Sequence, residues 1–186
     1  MNIFLAGATG AVGKSLLPAL RDRGHKVVAL TRSAEKAAAL RSAGAQPVVA
    51  DALDRAAVVR AVKESRAEVV IHQLTGLTGA TSIRHFDRVF ASTNRLRTEG
   101  TDILLEAARA AGARRFVAQS YGNWVYGWSG NGLKTERDVL DPHPLPQQKE
   151  SLAAIRHLEQ AVTSDRTITG IALRFGSLYG PGTNMA

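Results

Sequence analysis

Cysteine is missing from this chain of 186 residues, which excludes a disulfide framework, a thiolate metal site and a cysteine nucleophile. No apolar stretch approaches the roughly 20 residues of a membrane span. Nor does a basic leader with a cleavage site open the chain, so the expected location is the cytoplasm, away from membranes. Dense basic runs are missing too. The chain carries 24 Lys and Arg against 16 Asp and Glu, a net charge of +8 with a pI near 10.4, yet the only adjacent basic pair is Arg114-Arg115. A dispersed positive field favours anionic small molecules and provides no track for a nucleic-acid backbone. His25 follows a helix-ending glycine and has no partner histidine at ligand spacing, so it reads as a turn residue and no metal site is expected. Hydrophobic content of 45% and charged content of 22% describe one ordinary globular domain.

What is present begins with the first residues. Ile3 to Ala6 reads as a buried strand that runs into Gly7, Gly10 and Gly13 and then into a helical pattern. A strand must reverse tightly, a backbone must come close to a bulky anion, and the next helix must pack hard on its strand. A side chain at any of the three glycines would obstruct one of these steps. The helix Ala11 to Arg23 would then point its unpaired N–H groups and positive dipole end at a phosphate. Pro18 falls inside it and predicts a local disturbance of its hydrogen-bond ladder.

Strands and helices alternate from there. Lys26 to Leu30 predicts a second strand, followed by Thr31, Arg32 and Ser33 where a chain selecting NAD usually carries an acid for the ribose hydroxyls. Arg32 can pair with a 2′-phosphate, which favours NADP over NAD; the alternative is a solvated arginine at the edge of the next helix. Pro47 to Ala50 predicts the third strand, with Asp51 at its end and Asp54 as the cap of a helix from Arg55 to Glu64. Asp51 either accepts from an adenine amino group or is an ordinary loop acid. The fourth strand, Glu68 to His72, leads into the polar loop Gln73 to Gly79, placed over a cofactor at the crevice where strand order reverses. His72 reads as a packed strand histidine rather than a catalytic one. A long helical region from Phe86 to Ala111 contains Gly100, which a helix tolerates. The fifth strand, Arg115 to Gln119, delivers Ser120 and Tyr121 to the same edge. The segment Tyr121 to Glu150 gathers Trp124, Tyr126 and Trp128. These aromatics either contact a substrate or cover a hydrophobic edge or partner surface. A last helix, Ser151 to Val162, precedes a sixth strand, Gly170 to Leu173. This alternation predicts an α/β fold of the Rossmann type, a doubly wound parallel sheet with helices on both faces.

On four segments the chain resembles the short-chain dehydrogenase/reductase superfamily in its extended or atypical branch, the NAD(P)-dependent epimerase/dehydratase group. They are Gly7 to Gly13, the acid Asp51, Glu99 to Ala108, and Leu173 to Gly182, in the expected order. The resemblance implies one NAD(P)-binding domain over residues 1–182; extended members continue into a smaller domain that closes over substrate, whereas only a short tail, 183–186, follows here, so that domain is expected to be either absent or truncated. It implies that Thr9, Gly10, Ala11 and Val12 hold the pyrophosphate and Arg32 the 2′-phosphate. Asp51 and Ala52 would border the adenine, and Leu74 and Thr75 the nicotinamide side. A small-molecule substrate and a homodimer are implied as well.

The catalytic pattern departs from the family. Members use a Ser or Thr after the fifth strand together with Tyr and Lys four residues apart, the lysine making the phenol ready to exchange a proton. Here Tyr121, Tyr126 and Tyr179 are followed at that distance by Val125, Gly130 and Thr183. Anchoring the last helix on Glu159 puts Ser151 and Ile155 at the Tyr and Lys positions. Ser120 and Tyr126 are therefore the candidate catalytic hydroxyls, with Lys149 as a further substitute. Two functions stay open: an NADP-dependent oxidoreductase or epimerase acting on a small carbonyl or sugar-nucleotide substrate, and a non-catalytic NADPH-binding sensor or regulatory module.

Overall fold

The computed structural model describes residues 1–76, 85–127 and 132–180. Its strands are β1 (Asn2–Ala6), β2 (Lys26–Thr31), β3 (Gln46–Val49), β4 (Val69–His72), β5 (Arg115–Tyr121) and β6 (Thr169–Phe175). They form one parallel sheet in the order β3-β2-β1-β4-β5-β6. The order reverses between β1 and β4, so the crevice beyond their carboxyl ends is where a ligand of such a sheet binds. The helices are α1 (Ala11–Asp22), α2 (Ala34–Ser42), α3 (Arg55–Glu64), α4 (Phe86–Arg95), α5 (Thr101–Ala110) and α6 (Lys149–Ser164).

Both faces of the sheet are covered, which is why its central strands are apolar without alternation. Leu5, Ala29 and Ile71 pack on one face with Leu17 of α1 and Leu40 of α2. Phe4, Val28, Val70 and Phe116 pack on the other with Val58 and Val62 of α3, Leu104 of α5 and Leu158 of α6. Local chemistry sets the helix starts: Ser33 Oγ accepts from the Lys36 N–H at 3.2 Å, and Asp54 Oδ1 from the Ala57 N–H at 3.0 Å. Pro18 lies on the exposed side of α1, which runs through it as a single helix.

The long helical region resolves into α4, a π turn over Leu96–Gly100, and α5. A π turn is one residue wider than an α turn and moves the inward face along the chain. Here Arg97 and Gly100 join Thr93 and Asn94 in the interior. The segment after β5 folds back on α6: Tyr126 pairs antiparallel with Leu140, and Val125 is buried with Leu152 and Ile155. Trp124 packs edge-on against Phe86 with ring centres 4.8 Å apart. Trp124 and Tyr126 pack on this apolar cluster, and Tyr126 keeps its hydroxyl for polar contacts; Trp128 lies outside the described residues.

His72 ties this architecture to the crevice. It is 1% exposed, its Nε2 lies 3.2 Å from the Leu96 carbonyl oxygen of the π turn, and its Nδ1 accepts from the Leu74 N–H at 3.2 Å. That pairing requires the neutral ring with its proton on Nε2. Burial lowers the pKa from its ordinary 6.5 to about 4, against the Leu96 hydrogen bond, which favours the charged form. Between those values the unfolded chain takes up a proton that the folded chain refuses. His72 therefore contributes its full stability above about pH 6.5 and loses it as pH falls toward 4, by about 3 kcal/mol in all. Urea midpoints measured across that window should fall for the wild type, and a His72→Gln variant should lack this part of the slope.

Candidate cofactor site

The turn after β1 is shaped by contacts that only glycine permits. Gly7 has φ +99, and a Cβ there would run into the Gln73 carbonyl on the neighbouring strand end. A Cβ on Gly13 would collide with the Gly7 carbonyl oxygen and come within 2.6 Å of Ala8 Cα. Gly10 differs: its φ of −80 is open to any residue, and the nearest protein atom to a Cβ would be Gly7 O at 3.4 Å. The space at Gly10 is free of protein, as a bound anion requires. Gly10 is also the N-cap of α1 and provides no side-chain cap, so the N–H groups of Ala11 and Val12 face the crevice with the positive end of the helix dipole. Gly10 and Ala11 are exposed, while Thr9 and Val12 are half-buried beside them.

Along the rim toward β3, Thr31 is buried and its Oγ1 accepts from the Ser33 N–H at 3.2 Å. Arg32 next to it is exposed and forms no ion pair or hydrogen bond among the described residues. Asp51 is exposed, and its Oδ1 accepts from the Leu53 N–H at 2.9 Å, which leaves Oδ2 available. Ala52 is 3% exposed, its side chain in the core, so it can offer a ligand only its backbone.

Toward β5, Gln73 extends the β4 register beyond its last residue, its N–H donating to the Ala6 carbonyl at 2.8 Å. Gln73 Oε1 is buried without a hydrogen-bond partner among the described residues. An unpartnered acceptor at the switch point is costly unless a ligand donates to it. Leu74 is half-buried, Thr75 is exposed, and Gly76 is fastened to α4 by its N–H on Thr93 Oγ1 at 2.9 Å. The glycine cradle, the uncapped helix end and the orphaned Gln73 acceptor together fit a dinucleotide. The remainder of the polar loop, from Leu77, lies outside the described residues.

The two candidate hydroxyls are joined through a pair that sequence reasoning did not connect. Ser120 is 1% exposed and donates to Glu159 Oε1 at 2.6 Å. Glu159 holds Arg174 by two bonds of 2.8 Å, from Nε and Nη2. Arg174 Nη1 donates to Tyr126 Oη at 3.1 Å, with its guanidinium carbon 5.4 Å from that ring's centre. The Glu159 hydrogen bonds hold the Arg174 pKa above its ordinary value. Ser151 is fully buried on α6, donating to Asp87 Oδ1 at 2.6 Å and accepting from Asn94 Nδ2 at 3.0 Å, and Ile155 is fully buried among apolar side chains. Lys149 opens α6. Glu159 and Arg174 both stood in segments already singled out, but no local pattern pairs residues on α6 and β6.

These features place the chain in a family. It belongs to the NAD(P)H-binding family, whose model matches residues 7–178. It is 46% identical over 188 residues to a 3-diazoavenalumate denitrifying reductase of a Streptomyces species, covering 100% of this chain and 59% of that protein. It is 35% identical over 153 residues to the 4-hydroxy-2-methyl-3-oxo-4-farnesyl-3,4-dihydroquinoline-1-oxide ketoreductase of Stigmatella aurantiaca, covering 81% of this chain and 38% of that one. The Thermus thermophilus UDP-glucose 4-epimerase in complex with NAD superposes with a TM-score of 0.76 at 27% identity, covering 99% of this chain and 58% of that one. The chain thus spans little more than half the length of these proteins at most.

Glu159 and Arg174 are largely buried, with side chains 14% and 16% exposed. Removing one partner strands the other charge, which costs about 3 to 5 kcal/mol in buried pairs. Glu159→Gln keeps a carbonyl acceptor, so a loss near the lower end, about 3 kcal/mol, is expected in chemical denaturation.

Proposed function

We propose that this chain is the cofactor-binding domain of an NADPH-dependent reductase or epimerase acting on a small carbonyl or sugar-nucleotide substrate. The observation that carries the reading is the open space at Gly10 in front of the uncapped α1 terminus, at the switch point of the sheet. Thr9, Gly10, Ala11 and Val12 would hold the pyrophosphate, and Gly7 and Gly13 keep the backbone close enough to do so. Arg32, exposed and without a partner among the described residues, would take the 2′-phosphate, which supports NADP over NAD. Asp51 Oδ2 and the Ala52 backbone would border the adenine, and Leu74 and Thr75 the nicotinamide end.

Bound NADPH supplies a hydride to an electrophilic carbon of the substrate. The proton for the substrate oxygen would come from Tyr126. Its Oη accepts from Arg174, so its own proton is available, and the guanidinium offsets negative charge that develops as the proton leaves. Ser120 donates a hydrogen bond to Glu159 and would act by holding that carboxylate, and through it Arg174, in place. The relative named as a ketoreductase supports the carbonyl substrate class.

A second reading has its own support. At the positions to which the family resemblance assigns Tyr and Lys, Ser151 is enclosed by Asp87 and Asn94, and Ile155 is in the core. Neither serves proton transfer, as a sensor that binds NADPH without turnover would have it.

Calorimetric titration should give tighter binding of NADPH than of NADH, with Arg32→Asp losing about tenfold or more in NADPH affinity and little in NADH affinity. Equal affinities would overturn the NADP assignment. In a hydride-transfer screen over ketones, aldehydes and sugar nucleotides, Tyr126→Phe should reduce turnover by about 100-fold or more with cofactor affinity unchanged. NADPH binding without turnover on any of them favours the sensor.

A further inference from the structure

The least compensated charge in the described structure is Arg97. It lies on the π turn, is 7% exposed, and makes neither a hydrogen bond nor an ion pair with any described residue. Burial lowers its pKa from the ordinary arginine value to about 10, with Tyr121 the group whose charge would act the other way. Arg97 is therefore charged at neutral pH. The groups that sense it are the His72 ring, kept neutral, and the Tyr121 phenol, and neither brings an anion. A largely buried guanidinium that meets no counter-charge among the described residues is costly to keep.

Its place in the sheet points to a use. His72 ends β4 and Tyr121 ends β5, and the two strands are neighbours in register. Arg32 and Asp51 follow β2 and β3, on the opposite side of the β1–β4 switch point. A dinucleotide with its adenosine over β2 and β3 brings its reacting end over β4 and β5, where the substrate must lie. Arg97 stands at the substrate end of the crevice.

We propose that Arg97, on the π turn whose Leu96 carbonyl meets His72 at the end of β4, receives a carboxylate of the substrate. One guanidinium balances one negative charge, and its planar fork matches a carboxylate in two parallel hydrogen bonds. A phosphate dianion would need a second cation, and the neighbouring imidazole is neutral. Tyr121 Oη, 3.3 Å from Ser177 Oγ, is the adjacent hydroxyl for the same group. The substrate class is thereby narrowed to carboxylic acids that carry the reducible group elsewhere on the molecule. This assignment rests on reading the crevice as the cofactor site.

The test uses the full chain with NADP+, titrated first with the cofactor and then with benzoate, its neutral isostere benzamide, and inorganic phosphate. Benzoate should bind saturably to the cofactor complex, with benzamide and phosphate at least tenfold weaker. Arg97→Met should abolish the preference for benzoate, keep NADP+ affinity unchanged, and equal or exceed the wild type in thermal stability without ligand. Equal binding of benzoate and benzamide, a preference for phosphate, an unchanged preference in Arg97→Met, or loss of NADP+ affinity in that variant would each overturn the proposal. If Arg97→Met does not fold, Arg97 is needed for structure in the way a counter-charged residue is, and the proposal fails. Absence of NADP+ binding by the wild type would instead refute the cofactor reading, which the first titration decides by itself.

Discussion

The close approach of three backbone segments at the end of β1 is the constraint on which the rest of the site depends. Gly7 lies against the Gln73 carbonyl, and Gly13 brings α1 against the Gly7 carbonyl and Ala8. No side chain fits at either contact. Because both are backbone to backbone, the turn, the start of α1 and the end of β4 are fixed relative to one another. The helix end that attracts an anion and the strand end that borders the crevice are held by the same contacts. Gly10, where there is room, is the position left for a ligand.

A second set of contacts carries order from this turn to the far side of the crevice. His72 links the π turn to the loop after β4, and Thr93 and Ser92 fasten Gly76 to α4. The widened turn brings a charged side chain inside, where an α turn of the same sequence would have left the inward face unshifted. π turns recur at functional sites because they trade regular hydrogen bonding for a repositioned side chain. Arg97 is the side chain repositioned here.

On the other side of α6, Glu159 and Arg174 hold a polar network within an otherwise apolar packing. It spans the end of β5, the segment that folds back after it, and the edge strand β6. A bidentate carboxylate–guanidinium pair is the arrangement that tolerates such burial, since both charges are offset and most donors are used. Arg174 also donates to the carbonyls of Glu136 and Asp138 at 3.3 Å, so the returning segment is fastened by the residue that contacts the Tyr126 hydroxyl.

Much of the architecture was legible in the sequence because its determinants are local. Apolar runs of strand length, helical spacing, the Asp54 cap and the glycine turn each act within a few residues, and their alternation leaves few arrangements other than a doubly wound sheet. The glycine turn was legible for the same reason, since Gly7 to Gly13 are read from neighbours in the chain. The polar pairs were not. Ser120 with Glu159 and Glu159 with Arg174 are pairs from different elements, joined only when α6 packs on the sheet. The sequence by itself determined that a strand, a glycine turn and a helix would present backbone N–H groups to an anion. Only the tertiary structure decided that Ser120 meets the Glu159 carboxylate and that Arg97 is buried without one among the described residues, because burial and charge pairing depend on the whole packed sheet.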